Sequence, residues 1–111
     1  MLNLKNFLFF FILFIIGINS IFAQQIKVIT YNIRLDVAID GANQWGKRTN
    51  AVDSLLKKHS PDVLCIQEGL YNQILDLQTM LSNYFYVGVG RDDGNEKGEF
   101  SAIFFKKTCL N

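Results

Sequence analysis

An α/β fold is predicted for residues 24–111, on three observations. Short β-rich runs alternate with segments of helical spacing, in the order strand, helix, strand, helix, strand, strand. The second of these runs, Val63 to Gln67, is apolar along its length, which is the pattern of a buried strand in a parallel sheet. Only two cysteines are present, too few for a disulfide scaffold, so the 88 residues after Ala23 form at most one small domain held by a hydrophobic core.

Each element has its own local reason. Ile26 to Asn32 is β-rich and turns polar at its end, which predicts the first strand. Asp36 to Lys47, with two Gly, Asn and Asp turn residues and a Trp, reads as a loop. From Arg48 to His59 the residues Val52, Leu55, Leu56 and His59 fall at helical spacing, and Lys57 and Lys58 occupy the last turn, where the helix dipole favours cations. Ser60-Pro61-Asp62 ends that helix, because a residue preceding proline is driven out of the α region. Val63 to Gln67 is the second strand, ended by Glu68-Gly69. Tyr71 to Leu81 is a second helix with Ile74, Leu77 and Leu81 on one face. Tyr84 to Val89 reads as the third strand, Gly90 to Glu99 as a polar loop, and Phe100 to Lys106 as the fourth strand. A parallel pair joined by a helical crossover brings its C-terminal ends to one edge of the sheet. Those ends carry Asn32 and Glu68, and ligands of open α/β sheets gather at that edge.

The N-terminus reads as a secretory signal peptide over residues 1–23. Lys5 gives a positive start, Phe7 to Ile18 is apolar apart from Gly17, and Ala23 places a small residue at the expected cut. The apolar run is about 12 residues, short of the roughly 20 needed to span a bilayer, so cleavage and release to the periplasm or medium are expected instead of a retained anchor. Removing this segment takes away one base, Lys5, and no acid, so eleven bases and ten acids become ten of each. Such a balance provides no general pull toward nucleic acid or anionic membrane and argues against a tight DNA-binding module. Cys65 is expected to be a buried free thiol; a Cys65–Cys109 bridge is the alternative that an exported compartment permits.

Among residues with chemical capacity, Glu68 offers a carboxylate and Asn32 a carbonyl oxygen with two N–H donors. Hard cations such as magnesium take one or two protein carboxylates and fill the remainder with water and phosphate, which a single strand-end Glu satisfies. Arg91 is either a surface charge in a turn or a partner for a substrate phosphate or an acidic group. Asp92 and Asp93 read as turn formers, Trp45 as packing over the sheet edge or lining a cleft, and Arg48 as a loop clamp acting through a carboxylate or a solvated helix start. His59 is expected to cap its helix or to be half-buried, and its position does not suit a catalytic base.

Thr30-Tyr31-Asn32-Ile33-Arg34, followed after a helix by Pro61-Asp62-Val63-Leu64-Cys65-Ile66-Gln67-Glu68, resembles the opening of the endonuclease/exonuclease/phosphatase superfamily, the deoxyribonuclease I-like enzymes. Asp40 to Arg48, Val87 to Gly94 and Gly98 to Phe105 resemble a bacterial, often secreted branch of it, and the likeness runs from about Ile26 to Lys106. The resemblance implies a two-sheet α/β sandwich, of which residues 24–111 are an incomplete N-terminal part, and a metal-dependent phosphoesterase activity on a nucleic acid, lipid, inositol or sugar phosphate. It implies that Glu68 ligates Mg2+ (or Mn2+) and that Asn32 sits beside the metal and the scissile phosphate. A full member has on the order of 250 residues. Its remaining site residues, a His, an Asp-x-Asn pair and a terminal Asp-His pair, have no counterpart up to Asn111. The expectation is therefore a fragment lacking a general base, with the inner face of its sheet uncovered. The alternative is a non-enzymatic exported remnant or phosphate-binding module.

Overall fold

A computed structural model describes residues 3–17 and 24–110. Its elements are helix α1 (Leu4–Gly17), strand β1 (Val28–Asn32), helix α2 (Trp45–His59), strand β2 (Val63–Gly69), helix α3 (Tyr71–Met80), strand β3 (Tyr84–Val87) and strand β4 (Phe100–Lys106). Short 3-10 segments occupy Ala38–Asn43 and Lys107–Leu110. Helix α1 carries the apolar N-terminal run, while the expected cut at Ala23 lies outside the described residues. No helix among the described residues is long and apolar enough to cross a membrane.

The four strands form one sheet in the order β1-β2-β4-β3. β1 runs parallel to β2, with Val28 opposite Val63 and Asn32 opposite Gln67. β4 is antiparallel to both β2 and β3. The C-terminal ends of β1, β2 and β3 and the N-terminal end of β4 therefore share one edge.

Strand alternation sorts the side chains onto two faces. One face presents Leu64, Ile66, Ala102 and Phe104 to α2 and α3, which answer with Trp45, Val52, Leu56, Ile74 and Leu77; all are buried. Tyr86 stacks on Phe104 at 5.2 Å between ring centroids. The other face is open: Val28, Phe85, Val87 and Ile103 are 42 to 59% exposed. It is an apolar sheet face with no layer on it among the described residues.

Several boundaries differ from the sequence reading. α2 begins at Trp45, three residues before the expected Arg48, because burial of Trp45 outweighs the weak helix propensity of Gly46. The indole Nε1–H donates to Asp76 Oδ2 at 2.7 Å, so Trp45 ties α2 to α3 and does not line a cleft. Leu55 is exposed, and α2 buries the narrower stripe of Trp45, Val52 and Leu56. His59 is exposed rather than half-buried; the helix is capped by Ser60 in the left-handed region (φ 42°), whose N–H donates to the Leu56 carbonyl. Cys65 and Cys109 are both free, and Cys65 is half-buried on the open face instead of in the core. β1 starts at Val28, two residues later than expected, β3 stops at Val87, and α3 ends at Met80.

At the opposite edge, Asp62 fastens the starts of β1 and β2 to the end of β4. Its Oδ2 accepts the Lys27 N–H at 2.8 Å and its Oδ1 accepts Lys106 Nζ at 2.9 Å. The Lys27 N–H and then the Lys106 ammonium hold its carboxyl below the ordinary value of 3.8. A carboxyl depressed in the folded state contributes stability that is complete above its unfolded pKa and is lost as pH falls through the folded value. Urea midpoints are therefore expected to decline as pH drops below about 4. Asp62→Asn is expected to be less stable at pH 7 and to show a shallower decline in acid. Parallel curves for the two proteins would remove Asp62 from this role.

Candidate active site

The cleft at the shared edge is about 500 Å³ in volume and is lined by Asn32, Gln67, Glu68, Gly88, Val89, Arg91, Glu99 and Ser101. Asn32, Gln67 and Ser101 arrive there by simple alternation, since each is an open-face position near the end of its strand.

Glu68 arrives differently. Continued alternation from Ile66 would turn residue 68 toward the helices. The register between β2 and β4 instead slips between Ile66 and Gly69: three steps on β2 oppose two on β4, from Ala102 to Phe100. This is a bulge with one extra residue, and Glu68 lies in it with φ 59°. The bulge brings the carboxylate to Asn32, whose Nδ2 donates to Glu68 Oε1 at 2.8 Å. It also extends β2 to Gly69, two residues past the expected Gln67.

Asn32 is oriented from its other end as well. Its Oδ1 accepts the Arg34 N–H at 3.0 Å, an interaction allowed by the left-handed conformation of Arg34 (φ 59°). Arg34 is in turn held by two bonds of 3.0 Å from its guanidinium to Asp40. Those bonds push the Arg34 pKa up and the Asp40 pKa down. Arg48 closes the same turn by donating to the carbonyls of Ile33 (3.0 Å) and Asn43 (2.6 Å). Of the two readings of Arg48, a loop clamp and a solvated helix start, the clamp holds, but through carbonyl groups instead of a carboxylate.

Across the cleft, Arg91 Nη1 donates to Glu99 Oε2 at 2.9 Å. Arg91 thus has an acidic partner while its guanidinium remains largely exposed. Asp93 is a turn former: its Oδ1 accepts the N–H groups of Asn95 and Lys97, which lower its pKa. The cleft floor needs Gly88, whose φ is 150° and where a Cβ would lie 2.8 Å from that of Ala102. His59 ends α2 at the opposite edge, where its carbonyl accepts Lys27 Nζ. Among the described residues, no imidazole lines the cleft and no group of three or more His, Cys, Asp or Glu side chains converges as a metal site.

Sequence reasoning brought Asn32, Glu68 and Arg91 to this place but overlooked Glu99, Gln67, Ser101 and the Arg34–Asp40 pair. Period-two counting, back from Ile103 and forward from Cys65, would have found Ser101 and Gln67. Nothing local marks Glu99 as a partner of Arg91 beyond its position at the start of a strand.

The profile of the endonuclease/exonuclease/phosphatase family matches residues 29–108. Among solved structures, the chain is similar to an endonuclease/exonuclease/phosphatase from Bacteroides vulgatus, at 38% identity and a TM-score of 0.75, over 78% of this chain and 33% of that one. It is also similar to a mannosyl-6-phosphatase from Bacteroides thetaiotaomicron, at 37% identity and a TM-score of 0.71, over 76% of this chain and 32% of that one. Humanized TDP2 of D. rerio shares the fold at 23% identity and a TM-score of 0.59, over 75% of this chain and 32% of that one. The chain spans about a third of the length of these structures. No curated protein sequence matches it. Fold, profile and strand-end residues agree: the chain belongs to the endonuclease/exonuclease/phosphatase family.

Proposed function

We propose that this chain carries the cation-binding part of a metal-dependent phosphoesterase, with Glu68 as the ligand of Mg2+ or Mn2+. The observation that supports this reading most is the Asn32–Glu68 hydrogen bond of 2.8 Å at the mouth of two parallel strands. The cleft offers a cation the carbonyl, hydroxyl and carboxylate oxygens of Asn32, Gln67, Ser101, Glu68 and Glu99, and of its two carboxylates Glu99 is engaged by Arg91. Glu68 is the carboxylate left to a cation, a sparse set that suits a hard ion completing its shell with water and phosphate. Such an ion, when bound, would neutralise charge on a phosphoryl oxygen. Asn32 fixes the Glu68 carboxylate through Nδ2, while its own carbonyl oxygen, already accepting from Arg34, has a second lone pair to offer. Arg91 supplies a guanidinium that can exchange one bond to Glu99 for one to a phosphate oxygen.

The substrate class is a phosphoester, and the similarity to a mannosyl-6-phosphatase makes a sugar phosphate the first ligand to try. Calorimetry with Mg2+ and Mn2+ is expected to show one weak site in the wild type and none in Glu68→Ala. Equal heats from both proteins would refute the assignment. A second reading, a binding module without hydrolysis, is favoured by the lack of an imidazole in the cleft among the described residues. Phosphatase assays separate the two: turnover above buffer that Glu68→Ala abolishes supports the first reading, and phosphate binding without turnover supports the second.

We also propose export, supported by the apolar run carried on α1. The intact mass of the protein recovered outside the cytoplasm is expected to lack residues 1–23, and a mass retaining them would contradict this.

A further inference from the structure

Gln73 is a polar residue buried in the core at 0% exposure, and its carboxamide makes three hydrogen bonds. Its Oε1 accepts the N–H groups of Leu70 at 2.9 Å and Asp36 at 3.0 Å, and its Nε2 donates to the Arg34 carbonyl at 2.9 Å. Leu70 lies two residues beyond Glu68, and Arg34 two residues beyond Asn32. One buried side chain thus joins the chain leaving β1 to the chain leaving β2, at the point where each has just delivered a residue to the cleft.

Both exits are conformationally costly. Arg34 and Glu68 each have φ 59°, a region that side chains other than glycine avoid. Such residues persist where their surroundings over-determine them. The Arg34 turn presents the N–H that Asn32 Oδ1 accepts, and the Glu68 bulge presents the carboxylate that Asn32 Nδ2 meets. Arg48 supports the first exit from α2, but its hydrogen bonds do not reach the second. Gln73 touches both. Helix formation alone would ask less of this position: accepting the Leu70 N–H is ordinary N-terminal capping, whereas the bonds to Arg34 and Asp36 cross between segments 37 and 39 residues apart in sequence.

We propose that Gln73 is a positioning residue that sets the Asn32–Glu68 pair by clamping the exits of β1 and β2 together. The clamp rests on hydrogen bonds in the structure, while its consequence for cation binding rests on the function proposed above. The two are read by separate signals in one experiment.

The full chain, 15N-labelled, is compared with Gln73→Met, which removes all three bonds at similar volume. Gln73→Glu keeps both acceptor bonds and loses the donor. Ile74→Val, the buried neighbour, perturbs packing alone. The reporter is the side-chain amide of Asn32. In the wild type its two protons are expected to be well separated and slow to exchange. In folded Gln73→Met they are expected to move to the position of an unconstrained amide, with Gln73→Glu in between and Ile74→Val unchanged. Wild-type Asn32 signals in Gln73→Met, or an equal shift in Ile74→Val, would overturn the proposal. Should Gln73→Met fail to fold, unshifted signals in Gln73→Glu would overturn it equally. Added Mn2+ gives the second signal: broadening near Glu68 is expected to need at least about tenfold more metal in the shifted variants. A wild type that Mn2+ does not broaden would end the metal reading, leaving the amide signals to decide the clamp.

Discussion

Trp45→Ala is expected to cost about 3–5 kcal/mol, the range for emptying a large aromatic site in a core. Trp45 is 1% exposed, donates its indole N–H to Asp76, and lies under the Arg48 guanidinium at 5.5 Å from the ring centroid. It begins α2, so its loss removes a buried ring, the link to α3, and the platform of the residue that clamps the turn after β1. Small domains sit at the low end of a stability range of about 5–15 kcal/mol, so this variant is expected to be largely unfolded at 25 °C. Trp45→Phe keeps most of the ring but leaves Asp76 without its donor, and a smaller loss of about 1–3 kcal/mol is expected. Urea denaturation followed by far-UV circular dichroism measures both, since each substitution removes the sole tryptophan. A cost near zero for Trp45→Ala would mean that α2 does not pack as described.

Glu68→Gly is expected to improve stability while abolishing divalent-cation binding. A left-handed conformation costs a side-chain-bearing residue about 1–2 kcal/mol, and glycine adopts it without that penalty. Glu68→Ala keeps the penalty and loses the bond to Asn32. The two variants should therefore be equally blind to Mg2+ and differ in stability by about 1 kcal/mol, glycine being the firmer. Equal stabilities would show that the bulge is relaxed. A stability gain bound to a functional loss is the expected signature of strain held at a site.

The strands and two packed helices were legible in the sequence because their patterns are local. The Phe- and Ile-rich run Phe100 to Lys106 favours a strand by composition, and the spacing of Ile74 and Leu77 matches the helical period. That Asn32 and Glu68 share one edge followed from parallel pairing, which aligns strand ends whatever the intervening loop does, but their contact needed the bulge. What stayed hidden depends on partners distant in sequence. Nothing about Glu68 announces a positive φ, and the bulge exists because β4 pairs with β2 on both sides of it. Gln73 carries no local signal, since two of the three groups it satisfies belong to a turn 37 and 39 residues away. Gly46 argued against an earlier start to α2, and only burial of its neighbour Trp45 decided otherwise. Insertion of β4 between β2 and β3 is likewise a long-range choice that no window of sequence contains.

Central to the proposed function is a cation held by Glu68 beside Asn32, and paramagnetic relaxation by substoichiometric Mn2+ tests it most directly. Broadening should be strongest at the Asn32 side-chain amide and the backbone amides of residues 67–69, and should vanish in Glu68→Ala. Broadening centred on the Asp92–Asp93 loop, or a pattern unchanged by Glu68→Ala, would contradict it.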